Sequence, residues 1–192
     1  MARQPRTRGD APPATAKDPN PAAAGLAADA DADTLIERTV TIDRPRNELY
    51  AFWREFRNLP LFMENIESVT EFDGARSHWR VKAPLDSTVE WDSILVEDIP
   101  GEVIEWRSAD GASVKNSGRI EFRDSSNGRG TRVTATIAYD PPGGKLGRLF
   151  ATLFQREPKV QARQDLRRFK QLMETGEIST SQPPVAAPRG ES

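Results

Sequence analysis

STVEWDSILVEDIPGEVIEWRSADGASVKNSGRIEFRD, residues 87–124, alternates large apolar side chains with charged ones, and the alternation is cut at Pro100-Gly101 and at Asp110-Gly111. Residues two apart share one face of a strand, whereas a helix brings together residues three and four apart. The run therefore predicts three antiparallel strands joined by tight turns. Val89, Trp91 and Leu95, then Ile104 and Trp106, then Gly118, Ile120 and Phe122 fall on the inner face. Outward from this run, IESVTEF from Ile66 and RSHWRVKAP from Arg76 add two strands before it, and TRVTATIAYD from Thr131 adds one after it. Their inward residues are Trp79, Val81 and Ala83, and Val133, Ala135, Ile137 and Tyr139.

Further upstream, LIERTVTID places Ile36, Val40 and Ile42 at even spacing and predicts a strand beginning at Thr34, with Arg38 on the same face. Pro45 then opens a helical pattern of Leu49, Phe52, Trp53 and Phe56, for which Asp43 is the capping candidate. A second short helix is expected with Asn58 as its cap and Pro60 in its first turn, ahead of Leu61, Phe62 and Met63. Downstream, Pro141-Pro142-Gly143-Gly144 predicts a sharp strand-to-helix turn. It fails as a phosphate loop, because Lys145 is followed by Leu146 rather than Ser or Thr. A 3.6-residue stripe follows through Leu146, Leu149, Phe150, Leu153 and Phe154, is interrupted at Pro158, and resumes as Ala162, Leu166, Phe169 and Met173, with Gly176 as the stop.

The flanks read differently. Residues 1–33 are rich in Ala, Pro and Asp with almost no large apolar side chain, and residues 179–192 are similar, so both are expected to be disordered tails around one domain spanning 34–178. Neither a secretory signal nor a membrane span is visible, and the expectation is a soluble, cytoplasmic chain. Over 192 residues there is no cysteine, one histidine and a net charge of −2. That composition removes disulfides, thiolate metal sites and cysteine nucleophiles, leaves no His-rich metal centre, and argues against a nucleic-acid partner. No cofactor is called for.

The order strand, two helices, six antiparallel strands, long terminal helix resembles the helix-grip fold of the START and birch-pollen-allergen superfamily, an α+β architecture. Within it, the chain resembles the polyketide cyclase/dehydrase-like and coenzyme-Q-binding family. The resemblance rests on TVTIDRPRNELYAFWREFRNLPLFMENIESVTEF, on VEWDSILVED followed by PGEVIEWRS, and on AYDPPGGKLGRLF through LRRFKQLMETGEI. It implies a bent sheet wrapped on the C-terminal helix with an apolar cavity between them, and a hydrophobic small-molecule partner such as a lipid, quinone or polyketide.

On that reading the ligand-binding candidates are Trp79, Trp91, Trp106, Ser108, Asn116, Tyr139, Phe150 and Phe154. Ser93 is a further polar residue on the inner face, where a polar group needs a partner or a ligand. Arg38 and Tyr139 are weak catalytic candidates, able to hold an enolate oxygen and to donate to a carbonyl in a cyclase or dehydratase. His78 alternates with Trp79 and should face outward, as should Glu90 and Asp92. The last helix carries Lys159, Arg163, Arg167, Arg168 and Lys170 among Glu157, Asp165 and Glu174, which reads as a solvated face or as a basic surface toward a peripheral membrane or acidic partner. A void of several hundred Å³ would favour a ligand, and a filled interior would favour a surface module.

Overall fold

The computed structural model describes residues 34–83, 87–126, 128–140 and 158–178. In chain order these form strand β1 (Thr34–Ile42), helix α1 (Arg46–Arg54), a 3-10 turn (Phe56–Leu61), strands β2 (Ile66–Glu71), β3 (Arg76–Ala83), β4 (Ser87–Ile99), β5 (Val103–Ser108), β6 (Lys115–Asp124) and β7 (Thr131–Asp140), and helix α2 (Pro158–Thr175). The strands make one antiparallel sheet in the order β1-β7-β6-β5-β4-β3-β2. From β2 to β7 the sheet is a meander, since short turns join only antiparallel neighbours. β1 pairs with β7 along its whole length, from Thr34 opposite Tyr139 to Ile42 opposite Thr131. Register shifts between Ile66 and Ser68 and between Leu95 and Glu97 interrupt the ladder and bend the strands locally. This is the α+β helix-grip architecture that the resemblance implied, with the strands where alternation predicted them.

Packing on the inner face begins with α1, where Leu49 and Trp53 lie one turn apart and are both buried. Trp53 meets Phe62 with ring centroids 5.1 Å apart and Phe169 of α2 edge-on at 4.9 Å, and Phe62 and Phe169 are also 4.9 Å apart. This aromatic cluster joins α1, the segment after the 3-10 turn, and α2. It fixes the rotation of α2 about its axis, because Phe169 is fully buried. The far end of α2 is fastened separately. Gly176 turns the chain at φ 77° with its N–H on the Leu172 carbonyl at 2.8 Å, as a helix stop should. Arg44 donates to the carbonyls of Met173 (2.7 Å) and Glu174 (3.1 Å), which α2 itself cannot satisfy.

Two local expectations are corrected. Asp43 does not cap α1: the cap position belongs to Pro45 with no side-chain bond, and the Asp43 N–H donates instead to Glu174 Oε1 at 2.7 Å. Asn58 does not start an α-helix. It lies within the 3-10 turn, where its side-chain amide donates to the Phe52 carbonyl at 3.0 Å and closes the end of α1. With Pro60 inside so short a turn, Leu61 is left exposed while Leu59 and Phe62 are buried. The readings of residues 1–33 and 179–192, of the Pro141–Gly144 turn, and of the apolar stripe through Phe150 and Phe154 lie outside the described residues. Among the described residues no helix is long and apolar enough to cross a membrane.

Candidate functional site

Opposite serines place the tryptophans. Ser77 of β3, Ser93 of β4 and Ser108 of β5 lie side by side across three strands, all on the inner face and all buried. Three small residues in one row leave room on that face for indoles from the same strands. Trp79 stacks on Trp91 (6.1 Å, 15° between planes) and on Trp106 (5.7 Å, 18°). Strands two apart in a sheet are separated by about 9–10 Å, so the Trp79 and Trp106 rings, 5.7 Å apart, meet across β4.

Each of these three stacked indoles has its own acceptor, Ser77 Oγ for Trp79 (2.9 Å), Ser93 Oγ for Trp91 (3.1 Å) and Asn116 Oδ1 for Trp106 (3.2 Å), whereas the buried Trp53 N–H has none among the described residues. On β6, the residue paired with Trp106 is Gly118, and a Cβ there would sit 2.2 Å from the Trp106 ring. Gly118 is a glycine for space, not for backbone conformation.

Between this wall and α2 lies a cavity of about 160 Å³. That is below the several hundred Å³ that would favour a ligand, although the interior is not filled. An apolar void of about 150 Å³ is enough to take up benzene. Every strand contributes: Ile36, Ile66, Val81, Ile120, Ala135 and Ile137 join the three indoles, and Trp53, Leu59, Met63, Val114, Ala162 and Leu166 complete the apolar lining. Four polar side chains interrupt it, those of Asn65, Asn116, Gln161 and Asp165.

Asp165 is the unexpected member. Its carboxylate is 14% exposed, accepts a hydrogen bond from Gln161 Nε2 at 2.8 Å, and lies 3.7 Å from Arg168 Nη1. Arg168 in turn is paired with Glu64, in the segment that leads into β2. Burial pushes the Asp165 carboxyl up to about 7; the Gln161 bond and Arg168 pull it down only in part, and Glu64 pushes further up. The reading of α2's charges as a solvated face is therefore wrong at this position. The signal was present in the sequence, since Asp165 is three residues after Ala162 and four before Phe169, inside the apolar stripe rather than opposite it.

The other predicted residues divide. Trp79, Trp91, Trp106 and Asn116 line the cavity together. Ser93 and Ser108 face inward but are not in its wall: Ser93 serves Trp91, while the Ser108 hydroxyl accepts from the Asn116 N–H (2.9 Å) and donates to the Asn116 carbonyl (3.1 Å). Arg38 is also outside the wall, its guanidinium donating to the Glu37 carbonyl at 2.7 Å. The Tyr139 side chain, Phe150 and Phe154 lie outside the described residues. His78 faces outward as expected, against Asp92 at 2.7 Å and the Phe72 ring at 6.3 Å. Of the basic residues on α2, Arg168 and Lys170 are tied to Glu64 and Glu174, which weakens the case for a basic docking face.

A bent antiparallel sheet gripping a C-terminal helix over an apolar, tryptophan-walled cavity defines a helix-grip protein built around a hydrophobic interior. The chain belongs to the family described as polyketide cyclase / dehydrase and lipid transport, whose profile matches residues 42–167. It is similar to the crystal structure of a Deinococcus radiodurans protein at 40% identity and a TM-score of 0.64, covering 76% of this chain and 100% of that one. The Zhui aromatase/cyclase from Streptomyces sp. R1128 shares the fold, with a TM-score of 0.56 at 15% identity over 76% of this chain and 99% of that one. By sequence the chain is 26% identical over 145 residues to an uncharacterized 17.2 kDa protein of Streptomyces lincolnensis, covering 72% of this chain and 89% of that protein. Family membership sets the chain among proteins that bind or transform hydrophobic small molecules.

Proposed function

We propose that this protein binds or carries a hydrophobic small molecule in the cavity between the sheet and α2, with Trp79, Trp91 and Trp106 forming the face on which it lies. The observation that carries this reading is the cavity itself, an apolar space walled by stacked indoles whose N–H groups are already satisfied. Such a wall offers flat contact without competing hydrogen bonds, which suits a ring system better than a flexible polar metabolite. Asn116 supplies directionality. Its oxygen is held by Trp106, so its amide N–H groups are the donors left for a ligand carbonyl.

The test is mass spectrometry of organic extracts from the purified full-length chain, together with titration of quinones, fatty acids and aromatic polyketides while tryptophan fluorescence is followed. A co-purifying species, or quenching with a Kd tighter than about 1 mM, is the expected result. No bound species and no probe reaching that affinity would overturn the reading.

A second reading, a cyclase or dehydratase, is favoured by one observation: Asp165 is a cavity acid whose titration falls near neutral pH, where proton transfer in either direction is easiest. It predicts that a poly-β-ketone is converted to an aromatic product and that conversion is lost in Asp165→Asn. An unaltered poly-β-ketone after prolonged incubation with the wild-type chain would remove it.

A further inference from the structure

The polar groups of the cavity wall differ in kind from those a fatty-acid site would need. Among the described residues the wall holds three amides and one carboxylate, and no cation. The nearest guanidinium to Asp165, that of Arg168, stands at 3.7 Å from Oδ1 and is shared with Glu64, so its charge is already balanced by two carboxylates. A ligand carboxylate entering this space would lose its water and meet no cation in the wall, while facing Asp165. A hydroxyl group meets the opposite situation. Gln161 and Arg168 both approach Asp165 Oδ1, which leaves Oδ2 without a hydrogen-bond partner among the described residues. A ligand O–H can donate to that oxygen in a charge-assisted bond.

We infer that Asp165 makes this cavity selective for an uncharged ring-bearing ligand that donates a hydrogen bond through a hydroxyl group, and that it turns carboxylates away. The inference rests on the proposal that the cavity holds a hydrophobic ligand, and it narrows the chemical class of that ligand. It also fixes how selectivity depends on pH. The groups around Asp165 are Gln161 and Arg168 on its own helix and Glu64 on the segment packed against it. Protonation of Asp165 removes the repulsion toward an anion while still allowing a hydroxyl ligand to bind.

Three probes with the same two fused rings separate the possibilities: 2-naphthol, 2-methylnaphthalene and 2-naphthoate, titrated calorimetrically into the full-length wild-type chain and into Asp165→Asn. Between about pH 5.5 and about pH 8.5 the naphthol stays neutral and the naphthoate anionic, by analogy with phenol and carboxyl side chains. For the wild type at the higher pH, 2-naphthol should bind about tenfold more tightly than 2-methylnaphthalene, and 2-naphthoate about tenfold more weakly. In Asp165→Asn both differences should shrink to about twofold. The wild type alone supplies a second measurement, because lowering the pH should strengthen naphthoate binding several-fold while leaving methylnaphthalene unchanged. If 2-naphthol and 2-methylnaphthalene bind equally, or if Asp165→Asn keeps the preference, the inference is overturned while the ligand-binding reading stands. If no probe binds at all, both fall.

Discussion

Replacing Asp165 with asparagine should stabilise the folded protein above neutral pH and leave its stability unchanged in acid. An ordinary Asp carboxyl titrates near 3.8, whereas burial moves that of Asp165 to about 7. In the interval between those values the folded chain holds a proton there that the unfolded chain has released. Stability therefore falls as pH rises across that interval and is flat above it. The shift corresponds to an upper figure of about 4 kcal/mol, at 1.36 kcal/mol per pH unit. Asparagine preserves the shape and the neutral state, so it avoids that loss. Allowing for the Arg168 attraction that it forgoes, the gain at pH 8 should be about 2–4 kcal/mol, or about 6–12 °C in Tm for a domain of this size. Urea unfolding of the two proteins at pH 4.5, 6 and 8 measures it, with the difference expected to open progressively from the lowest pH to the highest. A variant that is less stable at pH 8, or a difference that does not vary with pH, would refute the reasoning. A cavity residue whose removal stabilises the fold is also what a retained functional group looks like.

Other outcomes follow from the wall and its supports. Gly118→Ala forces a methyl to within 2.2 Å of the Trp106 ring; displacing that ring from Trp79 and Asn116 should cost about 1–3 kcal/mol in chemical denaturation and alter the near-UV circular dichroism of the indole stack. Ser77→Ala leaves the buried Trp79 N–H without its acceptor and should destabilise by about 1–3 kcal/mol, a loss that Ser77→Thr partly restores. Arg44→Ala removes the donors to the Met173 and Glu174 carbonyls and should speed amide hydrogen exchange in the last turn of α2, with about 1 kcal/mol lost globally.

Strand alternation placed most of the sheet side of the cavity wall. Alternation assigned Trp79, Trp91, Trp106, Asn116, Ile120, Ala135 and Ile137 to the inner face, and all of them line the space. It also put Gly118 inward, where its lack of a side chain accommodates Trp106. Alternation could not say which inward polar residues would reach the cavity. Ser93 and Ser108 share a face with Asn116, yet the indoles and the Asn116 backbone take their hydroxyls. Asn65 and Gln161 carried no signal, because the first lies in a segment without regular period and the second flanks the apolar stripe.

What the sequence determined by itself was most of what depends on local backbone period: which segments are strands, which face the strand side chains take, and where α2 stops. Those follow from a two-residue pleat, a 3.6-residue turn and a glycine at positive φ, all properties of a few consecutive residues. Tertiary structure decided the rest, because it depends on distances between segments far apart in the chain. The row of small serines left room for Trp79 and Trp106 to meet across an intervening strand. The Trp53, Phe62 and Phe169 cluster set the rotation of α2, and that rotation turned Asp165 away from water and into the cavity wall.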